Sequence, residues 1–415
     1  MSKNGSRKLI GALLFALASS FLIGACGGGD STDDKGGSSS EGMAKPRGQH
    51  SATLLPDGRL LVIGGRSVLS YTSAEIYDPN PSQDTDVSQW SAAGDMSMDR
   101  FDHITTVLPN GLVLVTGGDK ETGKKRSQST SARLSLQDAE LYDPSTNSWS
   151  SAPNMINQHA AGHTATLLNN GEVLIAGGLS IGGEGQPRIG SSYAEIYDPT
   201  SGTWSSTGNM TKARSMHRAI LLDDGNVMAI GRESSEIYDP STGKWTAQGK
   251  LSTDHGGQFT ATLLNDGKIL VAGGGHSEWV EGVEVSPPTP IASVDLYDPG
   301  TGEWSSAGDM LYPTLGHTAT LLPDGHVLVV GFLQSQTYDP GSDTWVDAGQ
   351  MDLQRGSPMI GGPAGSFHTA TLMPSGKVLI SGGNHMELSK FGKETDREGI
   401  GTIEIYDPAA GWIGQ

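Results

Sequence analysis

The chain has 415 residues, 59 of them glycine and only 35% apolar, a composition that suits strands and turns rather than helices. Its formal charge of −19 repels phosphate backbones and anionic lipid, which argues against nucleic acid as a partner. The single cysteine, Cys26, excludes an intrachain disulfide and any cysteine-based zinc or iron–sulfur site.

The first 25 residues read as a leader. Lys3, Arg7 and Lys8 form a basic segment, and Leu9 to Ile23 is an apolar run too short to be a comfortable membrane span. Leu22-Ile23-Gly24-Ala25-Cys26 then looks like a bacterial lipobox, which implies a signal peptide over 1–25 and lipidation of Cys26. Several acyl chains on one residue anchor stably, where one would be marginal. Losing the leader removes three bases and no acid, leaving 24 bases against 46 acids, a charge of −22. Residues 26–42 are a Gly/Ser/Asp tether that cannot bury a core. The resemblance implies an exported protein held at the cell envelope, on the outer membrane if the host has one.

From residue 43 to 415 one pattern recurs seven times. Its first half is His-x-Ala-Thr-Leu-Leu-Pro-Asp-Gly, followed by an aliphatic run ending in Gly-Gly. Its second half is Ala-Glu-Ile-Tyr-Asp-Pro, then Trp, then Gly-x-Met. The starts are His50, His103, His163, His217, Phe259, His317 and His368. The spacing predicts four strands per repeat: in the third, His163–Leu168, Val173–Ala176 and Glu195–Tyr197, with Trp204 opening the outer strand. The second strand is a continuous apolar run, as expected where both faces are covered. A four-stranded sheet cannot bury both faces alone, so the sheets should stack radially into a ring.

Gly-Gly followed by Tyr and then Trp is the kelch signature, and over about nine-tenths of its length the chain resembles kelch-repeat β-propellers. The fold expected is all-β: a seven-bladed β-propeller with four antiparallel strands per blade. Two repeats depart at the doublet, Gly231-Arg232 and Gly331-Phe332. Met43 to Arg47 lines up with Met96 to Arg100 and is placed to cover the seam, while the last outer strand, after Trp412, should be short. The six repeated histidines are expected to be hydrogen-bonded inside their own blades rather than to form a metal ring.

Within a blade the first and third turns are stereotyped and lie on one face. The variable segments (120–136, 180–192, 276–291, 350–366 and 385–401) open on the other, where function is expected. Trp279 is the only tryptophan outside the repeat. With His276, Glu278, His255 and Tyr312 it forms a candidate ligand-binding set around blade 5, echoed in blade 7 by His385 and Glu387. An exposed aromatic beside polar groups is what glycan or peptide binding requires.

The family offers two enzyme precedents. Copper-radical chemistry of the galactose-oxidase kind needs a tyrosine cross-linked to a cysteine, and the only cysteine here is in the lipobox. Epimerase-like isomerisation would use Glu278, Glu387, His276 and His385 as acid and base. The reading favoured is a monomeric, membrane-tethered binding module for glycans or proteins, with no cofactor and no metal.

Overall fold

The computed structural model describes residues 42–67, 69–80, 89–125, 131–181, 188–276, 279–280, 283–284, 288–355, 367–385 and 398–413. Cys26, Glu278 and Glu387 lie outside them, as do the side chains of Trp279 and His385.

Among the described residues the chain forms seven four-stranded antiparallel sheets, each taken from one continuous stretch of sequence. Blade 3 shows the rule: His163–Leu167, Val173–Gly177, Ala194–Asp198 and Thr203–Ser206, within a residue or two of the expected spans. Every second strand is buried along its whole length, because neighbouring sheets cover both of its faces. The seven apolar clusters each combine side chains of two adjacent blades, so the core lies between sheets rather than within them.

The glycine doublet is required by close approach. Gly177 has φ +65°, and a Cβ there would lie 2.7 Å from the Arg214 carbonyl oxygen. Paired Tyr and Trp rings sit 4.8 to 5.4 Å apart in every blade. The tryptophan does more than fill its own blade: Trp149, Trp204, Trp245 and Trp345 donate from Nε1 to a backbone carbonyl of the preceding blade, and Trp304 and Trp412 to a serine hydroxyl there.

The innermost strands touch in cyclic order, and that of blade 1 touches that of blade 7, so the ring is closed. Among the described residues no strand is exchanged across the seam. Instead the segment ahead of blade 1 lies along blade 7: Met43 N donates to Gly401 O (2.8 Å), Arg47 N to Ile400 O (3.2 Å) and Gly383 N to Arg47 O (3.0 Å). Blade 7's outer strand, Gly411–Ile413, is indeed short.

One expectation needs correction. The repeated histidines bond through Nε2 to the blade before; His163 also bonds its own entering segment, Nδ1 to Ala160 O (3.0 Å). Nε2 of His103, His217, His317 and His368 meets the hydroxyl of Ser51, Thr164, Thr260 and Thr318 (2.9 to 3.1 Å), and His50 closes the circle on Thr369. Where Ile104 supplies no hydroxyl, His163 uses Thr116 instead. At the remaining joint both partners have changed together: Phe259 replaces histidine, and the Arg218 guanidinium of blade 4 lies over its ring, 5.6 Å from the centroid.

Candidate functional site

Each blade is fastened by a second polar device on the variable face. The segment entering the blade carries an arginine or histidine that meets an acid on the third strand: Arg47–Glu75, Arg100–Glu140, His159–Glu195, Arg214–Glu236, His255–Asp295 and Arg355–Glu404, at 2.5 to 3.1 Å. The acid also accepts from the backbone of the entering segment, as Glu75 does from Ala44 N. Burial pulls the Arg47 and Arg355 guanidiniums below their ordinary range, opposed by the facing carboxylate. Such pairs fix geometry more than they add stability. Blade 6 alone is neutral at both places, with Thr314 and Gln336.

The residue just before each motif start forms the rim of the central channel, and in all seven blades it has positive φ: Gln49, Asp102, Gly162, Met216, Gln258, Gly316 and Phe367. Backbone bonds link neighbours around the rim, from Asp102 N to Gln49 O (3.1 Å), Gln49 N to Phe367 O (3.3 Å), Met216 N to Gly162 O and Gly316 N to Gln258 O (both 2.8 Å). Five of these positions carry a side chain in the left-handed region, each at a cost of about 1 to 2 kcal/mol. Strain is thus repeated at one equivalent place around the ring.

Two polar groups adjoin that rim. Gln49 clamps the Asp102 carboxylate through Nε2 (2.9 and 3.0 Å) and accepts from Arg66. Arg66 and Arg133 lie over the Phe101 ring, and Arg66 also bonds Glu121 at 2.7 Å. Burial, reinforced by Asp119, pushes the Asp102 carboxyl up to about 6. Two residues after the rim's Met216, Arg218 contributes a guanidinium that burial lowers to about 10.

The residues singled out from sequence distribute as follows. His276 is half-exposed, with Nδ1 4.0 Å from Asp254, which Arg232 holds at 2.9 Å. Burial alone would raise the Asp254 carboxyl, but its bonds to Arg232 and the Gly256 amide outweigh that and keep it low. Arg232 is the residue that breaks the blade 4 doublet. Trp279–Val280 pairs with Val283–Glu284 at the tip of the blade 5 loop, whose base is Gly275–His276 against Thr289–Pro290. Asn384–His385 pairs with Glu398–Gly399 in blade 7, two blades from His276. Tyr312 lies at the edge of a cleft in blade 6. His255 is wholly buried, with Nδ1 on Gly273 O (2.7 Å) and Nε2 on Asp295 (3.1 Å), so both ring nitrogens are committed inside the blade. The rim was missed because its residues share no chemical type; the one signal was their constant place before the motif start.

The joint histidines are poor proton acceptors. Burial, the largest cause at each, drives His50, His163, His217, His317 and His368 down to about 3, and His103 well below its ordinary value. The hydroxyl–imidazole contacts are therefore joints, not nucleophile–base pairs. Among the described residues no three His, Cys, Asp or Glu side chains are grouped to hold a metal ion.

The kelch-motif family model matches residues 102–156 and 259–311, which are blades 2 and 5. The chain is a seven-bladed β-propeller, two of whose blades match the kelch motif. An F-box/kelch-repeat protein of Arabidopsis thaliana is 30% identical over 157 residues, a match covering 37% of this chain and only 36% of that protein. Among solved structures, a fungal alcohol oxidase of the AA5 family in complex with copper superposes with a TM-score of 0.61 at 17% identity, over 87% of this chain and 75% of that one. The structure of YjhT superposes with a TM-score of 0.54 at 14% identity, over 74% and 98%. At these identities the two structures share the fold with this propeller.

Proposed function

We propose that this kelch propeller is a non-catalytic binding module, tethered outside the cytoplasm through lipidated Cys26, which recognises a glycan or protein ligand on its variable face as a monomer. The observation that carries the reading is the rim: five non-glycine residues held in the left-handed region at equivalent positions, just before the innermost strands of five blades. A binding surface uses such preorganisation because little entropy is left to lose when the ligand arrives. The blade 5 loop bearing Trp279, His276 and Glu278, with Tyr312 beside it, is the proposed outer contact, and His385 and Glu387 are its counterpart in blade 7.

A thermal-shift screen of the chain against glycan fragments and candidate protein ligands tests this. A saturable rise with one class, lost in Trp279→Ala and in Phe367→Gly, is the expected result. If Glu278→Gln and Glu387→Gln instead erase a turnover while leaving affinity intact, the site is catalytic and the module reading fails.

A further inference from the structure

Blade 6 lacks the arginine or histidine that every other blade places between its second and third strands. In blade 1 the Arg47 guanidinium donates to Gly64 O and Ser73 O (both 2.9 Å). Arg100 and Arg355 donate to Gly117 O and Gly382 O, and the His159 and His255 rings bond Gly177 O and Gly273 O. Arg214 uses Ser234 O at 2.8 Å. The corresponding carbonyls of blade 6 belong to Gly331 and Gln334, which are joined by the same Gly331 N to Gln334 O bond (3.0 Å) that marks the position in blades 1 and 4.

The side chain that should reach them is Thr314, and it stops short. A Cβ on Gly231 would run into the Arg214 guanidinium, whereas on Gly331 its nearest neighbour would be the Thr314 hydroxyl, at 2.9 Å. The space left over is a cleft of about 250 Å³, lined by Tyr312, Thr314, Gly331, Phe332, Gln334 and Gln336. Thr314 is 5% exposed, and its hydroxyl lines the cleft with no hydrogen-bond partner among the described residues. Gln336 has taken over the backbone duties of the missing carboxylate, accepting from Leu311 N (2.8 Å) and donating to Tyr312 O (3.0 Å). The blade is thus satisfied without a buried charge, yet keeps the cradle that holds one elsewhere.

We infer that this cleft receives a guanidinium group supplied by a ligand: the side chain of an arginine presented by a protein or peptide partner. Two carbonyls and a free hydroxyl offer acceptors to a planar fork of donors, which suits guanidinium better than a compact ammonium. Tyr312 and Phe332 are aromatic residues of the lining, and the molecule already places Arg47 over Tyr71, Arg66 over Phe101 and Arg218 over Phe259. The Asp347 carboxylate bears on Tyr312 at the edge and supplies negative charge there. The inference rests on the binding-module reading only for the source of the arginine; the cleft's chemistry stands on blade 6 itself.

The test titrates methylguanidinium, with methylammonium as control, into the full chain by calorimetry at constant ionic strength. Saturable binding of methylguanidinium alone is expected. Thr314→Arg with Gln336→Glu installs the device of the other blades and should weaken binding at least about tenfold, the worth of one charge-assisted hydrogen bond. Thr314→Val keeps the shape, removes the hydroxyl and should weaken it several-fold. Water alone in the cleft, seen as no saturable binding, overturns the inference; so does equal binding of methylammonium, or binding unaltered in both variants. A negative ligand screen leaves this result untouched, and a failure here leaves the screen interpretable.

Discussion

Replacing Arg214 by threonine removes three bonds in blade 4: to Glu236 (2.7 Å), to Ser234 O (2.8 Å) and to Ser234 Oγ (3.3 Å). Glu236 is left wholly buried, held only by the Thr211 amide and hydroxyl. An uncompensated buried charge of this kind costs about 3 to 5 kcal/mol. Adding Glu236→Gln should recover much of that loss. The amide oxygen can still accept from Thr211 N, and its NH2 can donate to Lys212 O, as Gln336 does to Tyr312 O in blade 6. What then remains is the cavity and the lost packing, about 1 to 2 kcal/mol. The unit spanning residues 40–415 has an unfolding entropy near 2.1 cal/mol/K per residue, so 1 kcal/mol moves Tm by about 1.3 °C. The single variant should therefore melt about 5 °C low and the double about 2 °C low in scanning calorimetry at pH 7. A double-mutant coupling of about 2 kcal/mol or more is expected. A double variant no more stable than Arg214→Thr would refute the argument that blade 6 is a self-consistent neutral form of the device.

Acid should weaken the ring through its joints. Five histidines are held near 3 when folded against about 6.5 unfolded, so the unfolded chain takes up protons first as pH falls, and stability is lost from about pH 6.5 down to about 3. By pH 5 each has cost about 2 kcal/mol. Asp102, raised to about 6, works the other way as one group against five. Moving the Arg218–Phe259 arrangement to the next joint, as Thr260→Arg with His317→Phe, should lessen the pH 7 to pH 5 drop in urea midpoint; an unchanged drop would show that His317 is not buried neutral. Cys26→Ser should shift the protein from the membrane fraction to the soluble one, and continued membrane association of that variant would end the lipoprotein proposal.

The blades were legible because their cores are local. Val173 to Gly177 is apolar throughout, Asn169-Asn170-Gly171 can only turn, and Tyr197 faces Trp204 across a short hairpin, so each repeat carries its own sheet in its own letters. The Arg/Glu, His/Asp and Thr/Gln substitutions were also present in the repeats, written at matching offsets. They could not be read as pairs because 22 to 49 residues separate the partners, and nothing local joins them.

Sequence alone determined the strand order, the number of blades and the face on which variety collects, since hydrophobic period, turn residues and repetition are properties of contiguous segments. Tertiary structure decided the rest. It showed that histidine and tryptophan bind the neighbouring blade, that the segment from Met43 lies along blade 7 where the ring closes, and that Thr314 leaves a cleft where arginine or histidine stands elsewhere. The physical reason is the same in each case: a radial stack is held by contacts between faces. A residue's partner there is set by where the previous sheet has already been placed, which no single repeat encodes.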